Sequence, residues 1–171
     1  MRILVLNADY PRFLSWLYRR QPGLGNADYA AQMAARNASL FGVADFYSRN
    51  FSALGHTAAE IHVNNAWLQR AVTPLKPMLR PLARKIGLSP SLDAQAEKIL
   101  LAQIEEFKPD LVLNQDTFHV DPSLMRRIKA IGNPILIGQI GIAPSRGVDW
   151  SVYDLMTVSY THLTLPTNRE V

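Results

Sequence analysis

The sequence predicts an α/β fold built on an open parallel sheet, and three observations lead to this prediction. Five short apolar segments have the length and composition of strands, and helix-like segments separate most of them. Most of the strand-like segments are apolar throughout, as is typical of strands that helices bury on both faces. The 171 residues are 48% hydrophobic and 19% charged, which is the balance of a globular chain with one core.

The N-terminal part predicts two strands on either side of a long helix. The run from Arg2 to Asn7 is continuously apolar and predicts the first strand. The following stretch, Ala8 to Ala27, holds several prolines and glycines and is expected to be a loop. A single helix is predicted from about Asp28, as its N-cap, to Leu54, with Gly55 as the left-handed residue that ends it. Thr57 to Val63 predicts the second strand.

The C-terminal part repeats the alternation of helices and strands. Prolines interrupt the region from Asn64 to Ile86, and Ser89-Pro90 predicts the start of a helix that runs to Phe107. The remaining predicted elements are a strand at 110–114, a short helix at about 122–131, and strands at 135–140 and 153–157. The predicted architecture is a Rossmann-like open parallel sheet with helices on both faces.

Composition and motifs exclude several classes of function. The chain has no cysteine, and its four histidines form no ligand pair, so we expect no metal site. Neither a G-x-G-x-x-G nor a P-loop pattern is present, which argues against dinucleotide binding and P-loop chemistry. Basic residues are spread along the chain, so we expect no nucleic-acid partner. No signal segment precedes the first strand, and we expect a cytoplasmic protein.

One dense basic patch allows two interpretations. It consists of Lys76, Arg80, Arg84 and Lys85, interleaved with leucines. Such a patch can contact an anionic membrane surface. Because Pro77 and Pro81 interrupt any regular helix there, a solvated insertion is the favoured interpretation.

The last residues differ in character from the rest of the chain. The stretch from Val158 to Thr167, VSYTHLTLPT, resembles the peptide obtained when a sequencing adapter is translated. We therefore expect a natural domain over residues 1–157, a non-native tail over 158–171, and a second domain missing from the sequence.

Three segments resemble a known family. They are YAAQMAARNASLFGVADFYS from Tyr29 to Ser48, LGH at residues 54–56, and KPDLVLN from Lys108 to Asn114. The first segment, followed by LGH, is similar to the N-terminal domain of bacterial glycosyltransferases related to the spore-maturation CgeB group, and both LGH and KPDLVLN resemble the wider GT-B superfamily. The resemblance implies a GT-B fold, in which two Rossmann-like domains face each other across a cleft. It also implies a metal-independent enzyme without a cofactor, whose N-terminal domain holds the acceptor and whose C-terminal domain holds the nucleotide-sugar donor.

Polar residues after the predicted strands are the candidates for the site, because ligands of open α/β sheets lie beyond the carboxyl ends of the strands. A sugar acceptor offers hydroxyl groups, and its attack requires a general base. The predicted catalytic residues are Asp116, Asp9 and His119. The predicted acceptor-binding residues are Asn7, Tyr10, Asp28, Asn114, Gln115 and Gln139. Each Asp or Asn has the alternative role of an Asx turn or a helix cap, and Tyr10, Trp16 and Tyr18 either stack on a ligand or pack the loop.

Two other functions stay open at the sequence level. A binding module of the cobalamin or receiver type uses the same kind of sheet, and a carbohydrate-binding or interaction domain without chemistry is the other alternative. Against cobalamin, the chain lacks a D-x-H-x-x-G motif, and against a receiver, no paired acidic cluster follows the first strand.

Overall fold

A computed structural model describes residues 1–72, 94–141 and 147–158 of the chain. Its centre is an all-parallel sheet with the order β2-β1-β3-β4-β5. The strands are β1 (Arg2–Asn7), β2 (Thr57–His62), β3 (Leu111–Asn114), β4 (Ile135–Ile140) and β5 (Leu155–Val158). The predicted fold class is confirmed. Val158 was expected to begin the tail but is paired with Ile140 at the end of β5, and residues 159–171 lie outside the described part of the chain.

Six α-helices are described around this sheet, and a short 3-10 helix spans Leu24–Asn26. Asp28 and Asp121 cap two of them by accepting hydrogen bonds from Ala31 N and Leu124 N, so the predicted Asp28 cap is confirmed. The helices are α1 (Pro11–Arg20), α2 (Tyr29–Ala38), α3 (Phe46–Ala53), α4 (Ala66–Ala71), α5 (Ala94–Phe107) and α6 (Pro122–Lys129).

The core lies on both faces of the sheet. Leu4 and Leu6 of β1 belong to a cluster that includes Leu100 and Ile104 of α5 and Met125 of α6. Ile3 and Val5 alternate with these leucines, point to the opposite face and are equally buried. Helix α3 contacts β1 and β2. Both faces of β1 are covered, which is the burial that its continuous apolar run predicts.

The prediction of a loop between β1 and the following helix is wrong. Most of the stretch from Ala8 to Ala27 is structured, because α1 occupies its centre. Pro11 stands at the first helical position, where its missing N–H costs nothing. Phe13, Leu14 and Leu17 are buried on one side of the helix. The aromatic and apolar spacing was therefore a helix signal that the prolines and glycines at both ends of the stretch concealed.

The prediction of a single helix from Asp28 to Leu54 is also wrong. The segment forms two helices, α2 and α3, with a break between them. Leu40, Gly42 and Ala44 have φ angles of 53°, 61° and 45°, in the left-handed region. The backbone break lets Ala44 O accept a hydrogen bond of 2.9 Å from Arg36 Nη1. Gly55 ends α3 with a φ of 85°, as predicted.

Several expectations fall on residues outside the described part. The basic patch and the Ser89-Pro90 helix start belong to the stretch 73–93, of which the structure describes nothing. Across the described ranges, no helix has the length and apolarity that a membrane crossing requires.

Candidate active site

A cleft opens where the strand order reverses around β1 and β3. Chain connections leave these neighbouring strands in opposite directions, and ligands of open α/β sheets bind at that position. The cavity measures about 680 Å³ and is called the central cleft below. Its lining comes from the stretch after β1 (7–11), the break between α2 and α3 (41–43), the loop after β3 (115, 116, 118 and 119), Gln139 and Gly141 of the β4 end, and Arg36, Tyr47 and Asn64.

The loop after β3 holds an Asp–His pair at the wall of the cleft. Asp116 Oδ1 accepts hydrogen bonds from the backbone N–H groups of Phe118 and His119, at 3.3 and 3.2 Å. Asp116 Oδ2 lies 2.5 Å from His119 Nδ1. When Nδ1 carries the proton and its N–H donates a hydrogen bond to Asp116, Nε2 is the acceptor nitrogen of the ring. The turn predicted as an alternative role for Asp116 is therefore present, and it presents the carboxylate to His119.

Asp9 has a different environment. Its side chain is 1% exposed, and Oδ1 accepts hydrogen bonds from Arg36 Nε at 3.1 Å and Nη2 at 2.8 Å. Asn65 Nδ2 lies 3.4 Å from Oδ2. The Asn64 side chain accepts a hydrogen bond from the backbone N–H of Asp9 and donates one to its carbonyl oxygen. The carboxylate is held in the interior by a guanidinium, so the geometry favours a positioning role for Asp9 over proton transfer.

A buried histidine continues this arrangement away from the cleft. His62 Nδ1 lies 3.5 Å from Asp9 Oδ1, and its Nε2 lies 3.6 Å from Glu60 Oε2. Glu60 also accepts a hydrogen bond from the backbone N–H of Ser48. Burial acts to raise the pKa of Glu60, but the His62 ring and the Ser48 groups outweigh it and hold the pKa below its ordinary value. Sequence reasoning missed this group, because nothing in a strand of six residues indicates which charged side chain will find a buried partner.

Side-chain amides form a second wall of the central cleft. Gln115 Nε2 donates to Gln139 Oε1 at 2.6 Å, and the Tyr47 hydroxyl lies 3.5 Å from the same oxygen. Within the described residues, the buried Gln115 Oε1 has no hydrogen-bond partner. Asn7 uses its Oδ1 to accept from Ala8 N. These groups donate and accept without carrying charge, which suits a ligand that is rich in hydroxyls.

Two of the predicted acceptor-binding residues lie elsewhere. Asn114 is fully buried, and its Nδ2 donates to Val120 O and to the Tyr153 hydroxyl. Burial, partly offset by this hydrogen bond, raises the pKa of Tyr153 to about 12. Asp28 caps α2 and is not part of the cleft lining. Both residues support the fold around the site, whereas Asn7, Tyr10, Gln115 and Gln139 line the cleft.

The three aromatic residues of the first stretch separate into two groups. Tyr18 stacks on Trp67 at 4.1 Å between ring centroids, and its hydroxyl bonds Gln32 and Asn65, which is the packing role. Tyr10 and Trp16 are exposed. Tyr10 lies in the lining of the central cleft.

The charge of the cleft limits the ligands that fit it. Among its described lining residues, Arg36 is the one permanent cation, and its donors are directed at Asp9, Asn37 Oδ1 and Ala44 O. A phosphate group needs uncommitted cations or backbone amides, whereas an uncharged polyol needs the amides and hydroxyls described above. No group of three or more His, Asp or Glu side chains suited to a metal ion occurs in the described part.

Comparisons with known proteins return no significant match: no family model, no curated protein and no solved structure resembles the chain to that degree. The resemblance to the CgeB group therefore rests on the segments at residues 29–48 and 54–56 alone, and the arguments about function rest on the geometry of the central cleft.

Proposed function

We propose that this chain is the acceptor-binding domain of a GT-B type glycosyltransferase, and that the central cleft holds an uncharged acceptor rich in hydroxyls. The observation that carries the proposal is the contact between Asp116 and His119 at a cleft walled by amides. The position of the cleft at the strand-order reversal supports it, because this is where α/β sheets bind ligands. The CgeB-like segments supply the expected reaction class.

In the proposed reaction, His119 is the general base. Its Nε2 takes the proton of the acceptor hydroxyl while that oxygen attacks the anomeric carbon of the donor sugar. The bond from that carbon to the nucleotide diphosphate breaks, and the diphosphate leaves with the electron pair. Asp116 fixes the tautomer and the ring position of His119 and stabilises the imidazolium that forms. Asp9 is a positioning residue, since Arg36 holds its carboxylate.

The donor belongs to a second domain in this proposal. The nucleotide sugar would bind to a C-terminal Rossmann-like domain, in agreement with a described cleft lining whose one permanent cation, Arg36, is already paired with Asp9. The partners are then that domain and a small-molecule or glycan acceptor, with neither a metal nor nucleic acid involved. We place the enzyme in the cytoplasm, where nucleotide sugars are the common donors.

Two variants test the assignment in an enzyme that joins this domain to its donor domain. His119→Asn removes the base, and we expect turnover to fall by about a hundred- to ten-thousand-fold with the fold retained. Asp116→Asn keeps the acceptor of the turn but loses the charge that orients His119, so turnover should fall as well. Glu97→Gln is the control, because Glu97 forms an exposed pair with Arg127. Normal turnover in the His119 variant would rule out the assigned base.

The isolated chain provides a complementary measurement. Positioning donor and acceptor together supplies much of the rate, so residues 1–171 alone should transfer no sugar from any nucleotide donor. Sugar transfer above a control without enzyme would overturn the two-domain proposal.

A second candidate is a small-molecule binding module of the cobalamin or receiver type. The order β2-β1-β3-β4-β5 favours it, because receiver domains share that order. Against a receiver, Asp9 is paired with Arg36, and the described residues hold no acidic cluster for a cation. A change in cobalamin absorbance on mixing with the chain would select the cobalamin module.

A further inference from the structure

A second cavity opens directly beside the central cleft. It measures about 820 Å³ and is lined by Tyr10, Pro11, Arg12, Phe13, Trp16, Ser39 and Phe41, which together form the aromatic groove. Tyr10, Pro11 and Phe41 also line the central cleft, so the two cavities are adjacent and share these residues as a common border. A ligand that extends past this border would contact both.

Stacked rings form the wall of the groove. Phe13 lies between Phe41, at 4.2 Å between centroids with planes 5° apart, and Trp16, at 6.0 Å and 26°. Tyr10 meets Phe41 edge-on at 5.9 Å and 88°. Near-parallel rings present flat surfaces, and a planar aromatic group extends such an array with favourable stacking. Arg12 adds a guanidinium to the lining, the kind of group that stacks on aromatic faces.

The fold does not account for the exposure of these rings. Helix α1 already buries Phe13, Leu14 and Leu17. Tyr10, Trp16 and Phe41 nevertheless remain 71%, 46% and 38% exposed. Contiguous exposed apolar surface is unfavourable in water and marks places where a ligand or partner binds. Because the groove adjoins the polar cleft, the arrangement suits a ligand that is apolar at one end and rich in hydroxyls at the other.

We propose that the aromatic groove binds the aromatic ring of an aryl-bearing acceptor whose hydroxyl groups extend into the central cleft. The part about the hydroxyl groups rests on the proposed function, whereas ring binding in the groove does not. Apart from Arg12, Ser39 and the Tyr10 hydroxyl, the lining offers few polar atoms, so a second sugar unit would find fewer hydrogen-bond partners there than in the central cleft. An alkyl chain would gain burial but no stacking on the flat walls.

The test compares four ligands by protein NMR titration of the chain: phenol, phenyl glucoside, octyl glucoside and methyl glucoside. Phenol and phenyl glucoside should shift resonances of Trp16 and Phe41, and phenyl glucoside should bind about tenfold more tightly than methyl glucoside. Trp16→Leu keeps an apolar side chain without the ring, and it should remove that advantage. Phe46→Leu is the matched control, because Phe46 is an exposed aromatic outside the groove. Circular dichroism should show both variants folded.

Each other outcome has a defined meaning. Tighter binding of octyl glucoside, unaffected by Trp16→Leu, would overturn the aromatic specificity. Equal affinities for methyl and phenyl glucoside in the cleft would contradict ring binding in the groove and would leave the proposed function standing. Phenol binding as tightly as phenyl glucoside, and sensitive to Trp16→Leu, would support the groove and count against the sugar acceptor. A dimer in sedimentation that Trp16→Leu dissociates would make the groove an interface between copies, which overturns the proposal.

Discussion

Asp9 and Asp116 each follow an apolar strand, and the sequence alone presents them as equivalent acids. In the structure Asp9 neutralises Arg36 in the interior, whereas Asp116 contacts His119 at the cleft. We predict that Asp9→Asn destabilises the chain by about 3 to 5 kcal/mol, because it leaves the buried Arg36 without its counter-charge. Asp116→Asn should cost about 1 kcal/mol, the value of one hydrogen bond. Urea unfolding measures both, and equal losses would contradict the distinction.

The same comparison indicates how much of the site is predictable. The rule about carboxyl ends of strands places Gln115, Asp116, His119 and Gln139 at one edge, and all four line the cleft. It cannot tell which neighbouring charge reaches which carboxylate. Arg36 comes from α2, 27 residues beyond Asp9, and the break after α2 supplies the Ala44 carbonyl that also binds it. Tertiary pairing of this kind leaves no local pattern in a sequence.

Backbone strain can be tested at one position between two helices. Leu40 lies in the break between α2 and α3 with a φ of 53° and is 75% exposed. A left-handed residue with a Cβ costs about 1 to 2 kcal/mol, and asparagine tolerates this conformation better than leucine. Leu40→Asn should therefore raise the thermal midpoint by about 1 to 4 °C. Leu54→Asn is the control, because Leu54 is 74% exposed with a φ of −82°. Equal shifts in the two variants would show that lost apolar exposure, not backbone strain, is responsible.

Element boundaries could be predicted where a buried apolar run is continuous. The predictions failed where the backbone turns without a proline or a cluster of glycines to mark the turn. Strands β1 and β4 have the predicted limits. The predicted long helix failed because its apolar spacing continues through a break at which Gly42 is the one glycine. Helix α1 was not predicted, because the prolines and glycines near it indicated a loop more strongly than its apolar face indicated a helix. In this segment the apolar spacing did not identify the buried residues, because Gln32 and Arg36 are buried whereas Leu40 and Leu54 are exposed. It also did not indicate the φ angles between the two helices.

For the whole described molecule, the sequence predicted the parallel sheet but not its order, because strand neighbours depend on crossovers and not on local pattern. Tyr18, Tyr29 and Tyr153 of the described chain are partly or fully buried in this fold. Burial raises the pKa of each of Tyr18, Tyr29 and Tyr153 to about 12 from an ordinary value of 10. Each keeps its proton in the folded chain at a pH where the unfolded chain has lost it.

This difference predicts an alkaline limit to stability. A group whose folded pKa is raised contributes stability that is complete below its unfolded pKa and is lost as the pH rises through the folded value. The free energy of unfolding should therefore fall between pH 10 and 12, by up to about 1.4 kcal/mol per pH unit for each tyrosine. The contribution of the half-buried Tyr18 is smaller, because solvent screens it. Urea unfolding at a series of pH values, with tyrosinate absorbance recorded, measures the slope.

Tyr29→Phe isolates one of these protons. The Tyr29 hydroxyl donates a long hydrogen bond of 3.4 Å to Glu60 O, so its removal should cost no more than about 1 kcal/mol at neutral pH. Above pH 10 the variant should lose stability less steeply than the parent chain, because unfolding releases one proton fewer. Tyr10→Phe, which removes a hydroxyl that is exposed in the folded chain, should keep the parent slope. If Tyr29→Phe and Tyr10→Phe change the slope alike, the alkaline loss comes from the net charge of the chain and not from the buried phenols.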